Sequence, residues 1–126
     1  MIYTSYWAKL KKIPRSIHAI SICRYPPPGE WTNCYRFIPS MRLYNRYKPK
    51  EIDFKTFCDE YYQQIVNSEE NIFYKLNNCV LLCYEKNPNE CHRSVARKYL
   101  IEIGYECEEW EEEKNIRKSL DKEEEM

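Results

Sequence analysis

The residues best equipped for chemistry lie together in Leu81-Leu82-Cys83-Tyr84-Glu85-Lys86-Asn87-Pro88-Asn89-Glu90-Cys91-His92-Arg93. Arg93 carries a planar fork that can hold a phosphate or carboxylate through two hydrogen bonds, or pair with Glu85 or Glu90 nearby. His92 can donate a hydrogen bond, exchange a proton near neutral pH, or simply cap a helix. Cys91 stands where a helix terminus and neighbouring cations favour the thiolate, which makes it a candidate nucleophile. Glu85 suits a general base, an acceptor for a ribose hydroxyl, or a partner that orients Arg93 or His92. Cys91 and Arg97 also share the Cys-x5-Arg spacing of cysteine phosphatases. The intervening His92-Arg93-Ser94-Val95-Ala96 has no glycine, however, and reads as the first turn of a helix.

Such residues need elements to hold them. Cys79 to Tyr84 is an unbroken apolar run that fits a buried central strand, and it stops in a polar turn before a helical pattern. A strand that feeds a helix start is a natural anion site, because the first amides of a helix lack partners and its dipole is positive there. That helix presents Val95, Tyr99, Leu100 and Ile103 and ends at Gly104, with a last strand from Tyr105 to Trp110. Upstream, Ile2 to Tyr6 and Ile17 to Cys23 read as strands, separated by about two helical turns from Trp7 to Ile13 and Pro14. Pro26-Pro27-Pro28-Gly29 forbids regular structure, so residues 24–40 are expected to form a long loop over the carboxyl ends of the strands. From the N-cap Asp53, the residues Phe54, Phe57, Cys58, Tyr61 and Ile65 recur at helical spacing, which is a core stripe. A further helix is expected near residues 69–77, with Ile72, Phe73 and Leu76.

This order predicts an α/β fold: one small Rossmann-like domain over residues 1–110, with about four mainly parallel strands and helices on both faces. Residues 111–126 read as a charged tail or solvated helix. In such sheets ligands bind beyond the carboxyl ends of the strands. Thr4, Arg24, Cys83, Glu85, Cys91, His92 and Arg93 are all expected at that edge, with Arg93, His92 and Arg24 as anion contacts. Tyr35, Arg36, Tyr44, Arg46, Tyr47 and Lys48 interleave rings and cations, which suits stacking on a base and neutralising its phosphates, though tyrosines also pack well on a domain surface. Tyr35, Tyr47 and Lys48 are the members placed at the ligand.

Composition narrows the class. With 126 residues, 43% hydrophobic, the chain has enough apolar material for one core. No apolar run reaches the ~20 residues of a membrane span and no secretory segment opens it, so a cytoplasmic protein without membrane partners is expected. Residues 1–50 carry ten Lys or Arg against one acid, and residues 51–126 carry ten against nineteen, an asymmetry of +9 and −9 inside a net charge of zero. The basic half suits a phosphate or nucleotide ligand; the other reading is that the two halves merely neutralise each other. Seven cysteines, an odd number at largely apolar positions, fit reduced thiols better than a disulfide framework. No Cys-x-x-Cys pair points to metal, and two glycines leave no phosphate loop, so neither a metal nor a cofactor is expected.

The Leu-Leu-Cys-Tyr-Glu-Lys string followed by Cys91-His92-Arg93 resembles the bacterial and phage DUF488 family of domains of unknown function. Ile2-Tyr3-Thr4, Arg24, Pro39 and Tyr47-Lys48 agree with it in order, so that the resemblance covers roughly residues 2–110. It implies a small Rossmann-like α/β fold without a settled activity. The expected function is binding of an anionic, nucleotide-like small molecule near Cys91-His92-Arg93, to sequester or sense it, such as a nucleotide signal of phage defence. The alternatives are an enzyme acting on nucleotides or glycosidic bonds through Glu85, Cys91 and His92, and a single-stranded nucleic-acid binder. Oligomeric state is left open.

Overall fold

The computed structural model describes residues 1–71 and 76–111. Its centre is a five-stranded sheet in the order β3-β2-β4-β1-β5, built from β1 (Ile2–Tyr6), β2 (His18–Ser21), β3 (Thr32–Asn33), β4 (Cys79–Cys83) and β5 (Cys107–Glu109). Every pairing is parallel, with Ile2 opposite both Cys79 and Cys107 and His18 opposite Cys79, so all five carboxyl ends open on one edge.

β4 explains why the sheet is covered on both sides. All five of its residues are buried, and alternation sends Cys79, Leu81 and Cys83 to one face and Val80 and Leu82 to the other. The first face packs against α2 (Phe54–Asn67) and α3 (Arg93–Glu102) through Phe57, Tyr61, Ile65, Ala96, Tyr99 and Leu100. The second is closed by Ile13 and Trp110, with Trp7 and Leu10 from a 3-10 helix, Trp7–Lys12, laid against them. The two turns expected between the first strands are therefore present in the tighter 3-10 winding.

α2 begins as its sequence predicts: the Asp53 carboxylate accepts the Thr56 amide at 2.7 Å, and hydrogen bonding from the Thr56 side chain first, and then from this amide, holds its carboxyl below the usual range. α3 is closed by Gly104, two residues past its end, whose φ of +102° permits a Schellman closure. The Tyr105 amide reaches the Leu100 carbonyl at 2.9 Å, and the Gly104 amide reaches Ile101 at 3.1 Å. A methyl group there would meet nothing within 4 Å, so only the backbone conformation resists substitution. Gly104→Ala is expected to cost about 1 kcal/mol, and an unchanged urea midpoint would refute this account of the cap.

Several expectations need correction. A fifth strand, β3, lies inside the stretch expected to be wholly irregular; two residues after a proline run carry no periodic signal. A short helix, α1 (Met41–Tyr47), follows it, capped by the Ser40 hydroxyl and burying only Leu43, too little for a stripe. His18, although inside the apolar run of β2, sits at its exposed start and bonds to Thr32 Oγ1 at 2.9 Å. The stripe of α3 is Arg93, Ala96, Tyr99 and Leu100, rotated from the expected one, with Ile103 42% exposed. The helix expected near residues 69–77 falls partly on 72–75, outside the described residues, as does the tail beyond 111; residues 69–71 and 76–77 are not helical.

A candidate ligand cleft at the carboxyl edge of the sheet

Beyond the ends of β2 and β4 lies a cleft of about 140 Å³. Its lining includes Arg24 and Tyr25 after β2, Tyr44 and Tyr47 from α1, Phe54 and Phe57 from α2, and Tyr84, Glu85, Glu90, Cys91 and His92 from the segment after β4. Parallel pairing sends the chain segments after β2 and β4 out at the same edge, and the long loop returns α1 over them. Six of these residues are aromatic, so the walls are flat and apolar while the charges sit among them.

Arg24 is the cation in this wall. Its Nε and Nη2 both donate to the Pro39 carbonyl, at 3.2 and 2.8 Å, which fixes the plane of the guanidinium. Burial first, and then the charge of Glu85, raises the Tyr47 phenol, so it stands at the cleft as a neutral hydroxyl. Tyr25 and Tyr44 meet edge to face at 5.4 Å, while Tyr47 tilts onto Phe57 at 4.5 Å.

His92 Nε2 lies 2.6 Å from the Ile22 carbonyl, and its ring edges meet Tyr61 and Phe57. A carbonyl only accepts, so Nε2 carries the proton and Nδ1 is left as an acceptor, 3.9 Å from Cys91 Sγ. Burial pushes the imidazole down to about 4, with the Ile22 carbonyl opposing and the Arg93 charge adding to the effect. His92 is thus neutral, and its one N–H is spent. It is not an anion contact, as the motif suggested; the group it offers is an acceptor nitrogen facing sulfur.

Arg93 departs furthest from expectation. It is wholly buried beneath the cleft, and its fork grips the chain itself. Nε and Nη2 each reach Glu109 at 2.9 Å, Nη2 also donates to the Lys86 carbonyl at 2.9 Å, and Nη1 donates to the Glu85 carbonyl and to Cys83 Sγ. The ion pair is with Glu109 of β5, and neither Glu85 nor Glu90 supplies it. Thr4 is buried beside it and donates to Glu109 at 2.7 Å, so it steadies the clamp and does not line the cleft. The amides at the start of α3 are occupied too: Ser94 bonds back to Cys91, and Val95 to His92. The open anion nest expected there is filled by the chain's own carbonyls.

The aromatic and basic stretch is divided as well. Tyr44 and Tyr47 reach the cleft, whereas Tyr35 is 64% exposed and absent from its lining, and Lys48 lies over the Tyr44 ring outside it. Arg36 is buried, donating to Ile65, Glu70 and the Tyr99 hydroxyl, and Arg46 pairs with Glu60 at 2.7 Å. Arg97 bonds the Cys107 carbonyl, so with Cys91 it forms no phosphatase-type loop.

The Sγ atoms of Cys83 and Cys91 are joined in a disulfide, contrary to the expectation of reduced thiols, while Cys23, Cys34, Cys58, Cys79 and Cys107 form none. The turn over residues 84–90 folds back, so the end of β4 and the start of α3 meet, which no spacing rule announces. Cys83, Glu85 and Cys91 also bring ligand atoms within 4.8 Å of one another, the group among the described residues that could hold a metal ion. Joined sulfurs are not thiolates, and the Arg93 guanidinium 3.1 Å from Cys83 Sγ adds a like charge, so the oxidised site does not suit a cation.

An all-parallel α/β sheet with a cleft beyond its carboxyl ends defines a small Rossmann-like protein. The family model described as the "Active DUF488-N3 subclade" matches residues 5–104. The chain therefore belongs to the DUF488 family. No curated protein and no solved structure is similar enough to match. Among the described residues no helix is long and apolar enough to cross a membrane.

Proposed function

We propose that the chain binds a small nucleotide-like molecule in this cleft, sequestering or sensing it, with a ring against the tyrosines and an anionic group toward Arg24. The observation that carries the reading is the combination of aromatic walls, one oriented guanidinium and the Glu85 and Glu90 carboxylates at the carboxyl edge of a parallel sheet. Size limits the ligand: about 140 Å³ is well below the ~300–1,000 Å³ of ordinary ligand pockets, so the cleft accepts one base or sugar while the rest lies along the rim. Since Arg93 and His92 have no donors to spare, Arg24 is the anion contact and the carboxylates suit sugar hydroxyls.

A second reading, turnover of a nucleotide or glycosidic bond, is supported by the word "active" in the family description and by Glu85, Cys91 and His92 lining the same cleft. Incubating the protein with nucleosides and nucleoside monophosphates, releasing bound material by heat and weighing it by mass spectrometry separates the two. Unchanged compounds support binding, and a new product that depends on Glu85 supports turnover. By calorimetry, Arg24→Gln is expected to weaken binding of a monophosphate by about 1.5 kcal/mol, roughly tenfold, and leave the unphosphorylated nucleoside unaffected. Equal losses for both ligands would remove Arg24 from the phosphate.

A further inference from the structure

We propose that Cys83 and Cys91 form a redox-active pair at the floor of the cleft that exchanges with a small thiol, attacked at Cys91 and releasing Cys83 as the thiolate. The inference does not depend on which nucleotide-like molecule the cleft accepts.

Placement distinguishes the two sulfurs. Both cysteines are buried, but Cys91 belongs to the cleft lining, whereas Cys83, the last residue of β4, lies behind it and outside that lining. A thiol entering the cleft therefore meets Cys91 first. Behind the bond, Arg93 Nη1 points its N–H at Cys83 Sγ from 3.1 Å, and Arg93 is itself fixed by Glu109 and two carbonyls. Negative charge that develops on Cys83 is thus met by a donor already in place, which makes it the better leaving group. On the other side, His92 Nδ1, an acceptor 3.9 Å from Cys91 Sγ, can receive the S–H of the reduced residue. The five remaining cysteines form no disulfide. One pair beside a cleft among seven cysteines has the pattern of a transient disulfide, not a stapling framework.

The chemistry balances as an ordinary exchange. A thiolate attacks Cys91 Sγ and forms a mixed disulfide, while the Cys91–Cys83 bond breaks and its electron pair leaves on Cys83. A second thiolate then attacks the external sulfur, giving a small-molecule disulfide and the Cys91 thiolate, which takes a proton from solvent. Two thiols are oxidised, one protein disulfide is reduced, and the reverse sequence re-forms it.

The test incubates the full chain in graded mixtures of reduced and oxidised glutathione with a chelator present, quenches with acid, alkylates, and maps peptides by mass spectrometry. The Cys83–Cys91 linked peptide is expected to disappear and re-form reversibly as the ratio changes, while the other five cysteines stay unlinked. Cys83→Ser, which keeps a small acceptor beside Arg93, is expected to trap glutathione on Cys91. Cys91→Ser is expected to carry about tenfold less on Cys83, because that sulfur lies behind the cleft lining. The proposal fails if the pair stays unlinked at every ratio, if the link resists reduction in the folded protein, or if the adduct forms on Cys83 instead of Cys91. Should either variant fail to fold, the wild-type titration alone still decides whether the pair is reversible.

Discussion

Replacing Arg93 by alanine is expected to destabilise the fold by about 3 to 4 kcal/mol, even with no ligand present. Removing one member of a buried, hydrogen-bonded ion pair typically costs about 3 to 5 kcal/mol, because its partners lose a charge they cannot replace. Here Glu109, held also by Thr4, would lose its counter-charge, and the carbonyls of Glu85 and Lys86 would lose their donor. The lower part of the range applies because the Glu109 side chain remains 21% exposed and can recover some hydration. Against a usual total of about 5 to 15 kcal/mol, such a loss takes much of the margin. Arg93→Lys is expected to recover little of it, since one ammonium cannot serve Glu109, two carbonyls and a sulfur in the plane that the fork spans. Urea unfolding of the unliganded protein is the measurement. A variant within about 1 kcal/mol of wild type would show that the clamp is dispensable and return Arg93 to consideration as a ligand contact.

Acidification is expected to expose His92 in the same way. Its folded value is pushed down to about 4 from an ordinary 6.5, so the unfolded chain takes up a proton at a pH where the folded chain does not. Stability is therefore full above about pH 6.5, falls as pH drops through the window down to about 4, and levels once both states are protonated. Between pH 7.5 and 5 the loss should be about 2 kcal/mol, with about 3 as the limit at lower pH. His92→Gln cannot titrate, so it should be less stable at neutral pH yet lose the slope in this window. Asp53, lowered by its cap, adds a loss as pH falls below the ordinary carboxylate range, under the His92 window. Equal slopes for wild type and His92→Gln from pH 7.5 to 5 would show that the imidazole is not held neutral.

What the sequence determines by itself is whatever depends on neighbours along the chain. The alternation and apolar character of β4, the Asp53 cap, the spacing of Phe57, Tyr61 and Ile65 and the Gly104 stop are local signals, and they suffice for a parallel α/β sheet whose carboxyl edge carries the polar motif. The lining of the candidate cleft is legible to that depth, since Arg24, Tyr47, Glu85, Cys91 and His92 do converge on it. Which way each side chain faces is not. Arg93 carries one local sign of burial: it precedes Ala96 by three and Leu100 by seven, the spacing of a buried stripe. A charge is read as solvent-facing by default, because burying one is costly unless a partner waits inside. That partner is Glu109, brought to Arg93 only because β5 lies beside β1 in the sheet. The meeting of Cys83 with Cys91, the loss of His92's N–H to the Ile22 carbonyl and the turning of Tyr35 and Lys48 away from the cleft have the same origin. Each depends on distances between segments remote in sequence, and strand order and packing set those distances.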